Sequence, residues 1–104
     1  MKRLVVTAAA EEDLRAVGRY TAESWGLEQK ARYLAQFRKR FLQIRKTPEI
    51  GRARDEIRPG YRSILAGRHV IFYQETDELI EVVRILHDRM DLHRQFADPE
   101  PRSA

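Results

Sequence analysis

"GYRSILAGRHVIFYQETDELIEVVRILHDRMD", Gly60 to Asp91, is the stretch on which the fold turns. It holds most of the chain's β-forming apolar residues, and it is cut at Gly67 and at the polar "TDE" of Thr76 to Glu78. The cuts leave three strands, over Tyr61 to Ala66, Arg68 to about Glu75 and Leu79 to His87. Gly67 suits a tight turn, and connections this short leave no room for helical crossovers. The strands therefore run as an antiparallel meander. "VIFY" and "IEVVRIL" are apolar on both faces over part of their length, so each sheet face needs cover.

Toward the N-terminus, "RLVV" (Arg3 to Val6) is a short β-branched strand. Thr7 can cap a helix that starts at Ala8, and Glu11, Glu12 and Asp13 follow where the helix dipole favours acids. Ala10, Leu14, Val17, Thr21 and Trp25 recur at helical spacing, and Gly26 supplies a C-cap. A second helix runs from Leu27 or Glu28 to about Lys46, on the stripe Leu27, Ala31, Leu34, Phe37, Phe41 and Ile44. Pro48 and Gly51 end it. The short link predicts an antiparallel hairpin. Residues 48–59 read as an irregular connection with one buried anchor, Ile57. The fold class is then α+β: a short N-terminal strand, and a helix hairpin packed on a three-stranded antiparallel meander. Residues 1–96 form a single domain, and the tail 97–104, "ADPEPRSA", is expected to be mobile.

The length, 104 residues, suits one domain with its own core, and 42% hydrophobic with 35% charged residues describes a soluble exterior. There is no cysteine, which excludes a disulfide framework, a thiolate metal site and a cysteine nucleophile, and which suits a reducing cytoplasm. No apolar run reaches the length of a signal sequence or a membrane span, so neither is expected. Twenty Lys and Arg against sixteen Asp and Glu give a net charge of +4, a bias toward anionic partners. Much of it lies on the second helix, in Lys30, Arg32, Arg38, Lys39, Arg40, Arg45 and Lys46.

Several side chains in and after the last strand can carry chemistry. Arg84 interrupts an apolar run, so it either reaches an open face for a phosphate or carboxylate, or pairs across the sheet with Glu81 or Glu75. His69 and His87 fall on neighbouring strands and His93 follows, but nothing around them has metal-ligand spacing. No metal or other cofactor is expected. Arg62, Arg84, Arg89, His87 and His93 together contain the residue types that RNA cleavage needs, namely a base, an acid and cations around phosphorus.

The order strand, helix hairpin, meander resembles the RelE/ParE toxin superfamily. Gly60, Tyr61, Arg62, Ser63, Gly67, Arg68, His69, Ile71, Phe72 and Tyr73, with Arg84, Ile85, Leu86, His87, Met90 and Asp91, look like its ParE branch, the plasmid-stabilisation toxins of type II toxin–antitoxin systems. "ESWG" at the end of the first helix is similar too, and Ala8 departs from the proline that members often carry there. The resemblance implies a toxin that inhibits DNA gyrase without being an enzyme. It also implies a ParD-like antitoxin of ribbon-helix-helix type, through which alone the chain would meet operator DNA. The alternative is the RelE branch, ribosome-dependent mRNA endoribonucleases with a tyrosine in the C-terminal segment. No tyrosine follows Tyr73 here, although His93 could replace one chemically. The expected contacts for target or antitoxin are Arg62, Arg68, His69, Arg84, His87, Arg89 and Asp91, with no catalytic residue among them.

Overall fold

A computed structural model describes residues 1–90 and 92–96 of the chain. The first strand, β1 (Arg3–Val6), leads directly into α1 (Ala8–Trp25) through Thr7. Thr7 has extended backbone, and its hydroxyl oxygen accepts the Ala10 N–H at 3.2 Å, as an N-cap requires. The same hydroxyl donates to the Val83 carbonyl at 3.2 Å, so the cap also fastens the helix to the sheet. Gly26 takes a φ of 94°, which ends α1 and lets α2 (Leu27–Lys46) fold back at the next residue. Pro48 keeps Thr47 out of the helical region, and a short 3-10 turn follows at Pro48–Ile50.

The rest of the chain forms β2 (Arg52–Ala53), β3 (Tyr61–Ala66), β4 (His69–Glu75) and β5 (Leu79–His87), then a single helical turn, α3 (Leu92–Gln95). The meander β3–β4–β5 is antiparallel, as its short links dictate. It is the centre of a larger, mixed sheet of five strands in the order β1-β5-β4-β3-β2. β1 pairs in parallel with β5, from Arg3 against Leu79 to Val6 against Val82. The helix hairpin and the meander provide the long connection that parallel neighbours need. β2 lies inside the segment expected to be irregular, and β4 begins at His69 because Gly67 and Arg68 both belong to the turn.

Phe37 and Ile44 of α2 and Ala10 and Val17 of α1 bury against Ile71, Tyr73, Ile80, Val82 and Ile85 of the sheet. Three members of the predicted stripes stay out of this core: Ala31 is exposed, as are Trp25 at 71% and Leu27 at 75%. Periodicity marks one side of a helix, and does not say how far the sheet beneath it reaches.

Ile57, the expected anchor, is only partly buried. The segment is held instead by Tyr73, whose hydroxyl donates to the Pro48 carbonyl at 2.6 Å and accepts the Gly51 N–H at 2.8 Å. Burial raises the Tyr73 pKa, which keeps the donated proton in place. A Cβ at Gly51 would stand 2.8 Å from the Tyr73 ring, so only glycine allows this approach.

On the opposite face of the sheet Phe72 is fully buried. Arg54 covers it, with its guanidinium 5.5 Å from the ring centre, and so does Phe96 at 4.9 Å, which also meets Tyr61 at 5.8 Å. The chain thus covers part of its second face itself. The tail 97–104 lies outside the described residues.

Candidate functional site

A groove of about 730 Å³ opens between the hairpin and the ends of β4 and β5. Its helical wall is aromatic: Tyr20 and Trp25 of α1, 67% and 71% exposed, and Tyr33 of α2. Its sheet wall is basic and imidazole-rich: Arg68 in the turn before β4, His69 at the start of β4, His87 at the end of β5 and Arg89 just beyond it. Antiparallel register sets His69 directly opposite His87 and brings their rings to 5.2 Å, edge to face.

Tyr33 orders the sheet wall. Its hydroxyl oxygen accepts the Arg68 N–H at 2.8 Å and lies 2.8 Å from His69 Nδ1. Burial, and then the neighbouring His87, push the His69 pKa below its ordinary value, so the ring is held neutral. Gly67 makes the approach possible. It has a φ of 61°, and a Cβ there would stand 2.5 Å from the Tyr33 ring.

The chain beyond β5 turns on the next imidazole. His87 Nδ1 accepts the Arg89 N–H at 3.1 Å and lies 3.2 Å from Asp88 Oδ1. Asp88 Oδ2 also receives Arg68 Nε at 3.1 Å, across the turn. Arg89 is exposed at the mouth of the groove.

Arg84 takes neither acid offered by its own sheet. Its Nε and Nη2 bind the two oxygens of Asp13 in α1, at 2.8 and 3.0 Å, and Asp13 Oδ2 also accepts the Ile85 N–H at 2.9 Å. The bidentate hydrogen bond with Asp13 raises the Arg84 pKa further. The acids once expected to pair with it are engaged elsewhere: Glu81 accepts from Gln74, and Glu75 pairs with Lys2. Val83 makes the geometry possible. Phe72 pairs with Arg84 and Tyr73 with Val82, which leaves Val83 as the extra residue of a β-bulge, a feature that re-aims the side chain beside it.

Of the contacts expected from sequence, Arg68, His69, His87 and Arg89 meet in the groove. Arg84 stands behind it, joined to the groove residue Asp13. Arg62 lies apart, donating to the Gly51 carbonyl at 2.8 Å and steadying the β2 connection. Asp91 lies outside the described residues. Sequence reasoning passed over Asp13, Tyr20 and Trp25 as site residues, because helix periodicity explains all three as ordinary face or cap positions. Among the described residues no group of three or more His, Asp or Glu is placed to hold a metal ion, and no helix is long and apolar enough to cross a membrane.

Comparison with known proteins agrees with this fold. Residues 4–92 match the family model described as the ParE toxin of the type II toxin–antitoxin system parDE. The chain is 43% identical over 95 residues to Toxin ParE1 of Mycobacterium tuberculosis, covering 90% of this chain and 97% of that protein. It is 34% identical to Toxin ParE of Escherichia coli, covering 94% and 96%. A solved structure titled as the chromosomal ParDE system from P. aeruginosa superimposes with a TM-score of 0.73 at 19% identity, over 84% of this chain and 96% of that one. At that identity the likeness speaks for the fold.

Proposed function

This chain belongs to the ParE toxin family of type II toxin–antitoxin systems, and on that premise we propose that it poisons DNA gyrase by binding and is silenced by a ParD-like antitoxin. The observation that carries the proposal is the groove, where exposed Tyr20 and Trp25 face the cations Arg68 and Arg89. Exposed aromatic side chains beside arginines are the usual anchors of a protein interface. The imidazoles of the same wall are engaged within the chain. His69 Nδ1 is taken by Tyr33, and His87 Nδ1 by the Arg89 amide. An acidic, amphipathic antitoxin segment complements both walls at once.

One observation favours a second function, RNA cleavage. The tyrosine absent from the C-terminal segment is supplied in space by Tyr33 on α2, beside His69 and Arg68. Induced expression of the chain alone separates the two. Gyrase poisoning predicts filamentous cells and trapped gyrase–DNA cleavage complexes while messenger RNA stays intact. Rapid loss of translation with cut messenger RNA and unbroken DNA would transfer the chain to the ribonuclease branch.

A further inference from the structure

The groove leaves the most charged surface of the molecule unexplained. The whole chain carries +4, yet α2 alone sets Lys30, Arg32, Arg38, Lys39, Arg40, Arg45 and Lys46 against one acid, Glu28. The remainder of the chain therefore holds more acids than bases.

The structure divides these cations into two groups. Four are held against the protein, three by their guanidinium groups and Lys30 by its stem alone. Arg32 pairs with Glu28 at 3.6 Å, and Arg40 Nε donates to the Leu65 carbonyl at 2.7 Å. Arg45 Nε donates to the Lys2 carbonyl at 3.2 Å, and Lys30 lies over Gly18, where a Cβ would come within 3.0 Å of its Cε. The other three, Arg38, Lys39 and Lys46, are exposed and make no hydrogen bond or ion pair among the described residues. Helical spacing puts Lys39 and Lys46 opposite the buried Phe37 and Ile44 and Arg38 on the adjoining flank, with Ala35 and Leu42 between them. Arg38 and Lys46 are about 12 Å apart along the axis, at 1.5 Å per residue. That length spans a few consecutive phosphates, which rise by about 3.4 Å per strand step along the duplex axis.

From this division we propose that the outward face of α2 binds the phosphate backbone of double-stranded DNA through Arg38, Lys39 and Lys46. This departs from the expectation that the chain meets DNA only through its antitoxin. A protein partner needs an apolar centre within the polar contacts, and Leu42 is the one large apolar side chain that is well exposed on this face. The aromatic anchors lie in the groove instead. Unpaired bases would need a stacking platform, but the tyrosine of α2, Tyr33, is occupied with His69 and Arg68. Backbone phosphates need only cations at matching spacing. The choice of DNA as the duplex rests on the gyrase proposal; the binding test below uses no gyrase, so either can fail alone.

The full chain, made by cell-free synthesis, is titrated with a short fluorescent DNA duplex of arbitrary sequence over a series of KCl concentrations. Each lost phosphate contact removes about 0.9 from the slope of log K against log salt. The variant Arg38→Gln/Lys39→Gln/Lys46→Gln should therefore bind with a slope shallower by about 2.7, and Lys39→Gln alone by about 0.9. A matched variant, Arg3→Gln/Arg52→Gln/Arg58→Gln, loses the same formal charge at other exposed positions and should keep the wild-type slope. Circular dichroism establishes that each variant is folded. Equal slopes in the two triple variants, or no salt-dependent binding by the wild type, would overturn the proposal. In a parallel titration with poly-glutamate, loss of binding by the Arg38→Gln/Lys39→Gln/Lys46→Gln variant with an unchanged duplex slope would overturn the proposal and assign the face to an acidic protein.

Discussion

His69 touches Tyr33, Phe37 and His87 through ring contacts, and its Nδ1 is hydrogen-bonded to the Tyr33 hydroxyl. Burial first, and then His87, hold its folded pKa below the ordinary value of 6.5, while Asp88 and Asp13 act weakly in the other sense. The unfolded chain consequently takes up this proton first as the pH drops. Stability owed to neutral His69 is complete above about pH 6.5 and is lost as the pH falls through the lower folded pKa. Melting temperatures measured from pH 8 down to pH 5.5 should decline, and His69→Gln should flatten the decline. An unchanged profile in that variant would mean that the ring titrates freely. At this scale the sequence identified types but not partners. His69, His87, Arg68 and Arg89 could be picked out because a strand end presents them together. Asp13 could not, since an acid near a helix N-terminus is already explained by the helix dipole. Tyr33 was unreadable for a similar reason: its role depends on Gly67 letting the β3–β4 turn close onto it.

Asp13 and Arg84 join the first helix to the last strand, 71 residues apart in sequence. The pair is partly buried, and Asp13 also satisfies the Ile85 amide, so removing the carboxylate strands a guanidinium and a backbone donor together. Asp13→Ala should cost about 2 kcal/mol, after allowing for the part of the pair that water still reaches. In a domain of this size that lowers the melting temperature by about 10 °C. Adding Arg84→Met should recover part of the loss, because the unpaired charge goes with it. A double variant no more stable than the single one would show that the pair is not a unit. Elements were the most legible level of this protein. Thr7, Gly26, Pro48 and Gly67 mark boundaries through local backbone chemistry, which a sequence states openly. The parallel pairing of β1 with β5 and the two-residue β2 are set by tertiary register, for which no local residue signals. The bulge at Val83 is of the same kind, and it is what turned Arg84 from an across-sheet pair to a helix partner.

Seen whole, the molecule carries two unlike surfaces on one hairpin. The groove side combines exposed aromatics with arginines and histidines, and the outward side of α2 presents cations around a single large apolar side chain. The first suits a protein partner and the second a polyanion, which is the pairing expected of a chain that acts on a DNA-bound protein. This arrangement was half visible beforehand. The excess of basic residues on the second helix can be counted from the sequence, but which of them are free depends on the contacts of Arg40 with β3 and of Arg45 with Lys2 ahead of β1. The most direct test of the central claim uses purified gyrase, plasmid DNA and the full chain, with broken plasmid measured after the protein is digested away. The account predicts double-strand breaks that rise with the amount of chain, vanish without gyrase, and diminish when Tyr20→Ala/Trp25→Ala replaces the wild type. No breaks at any concentration, from a preparation that cuts ribosome-bound messenger RNA, would contradict it.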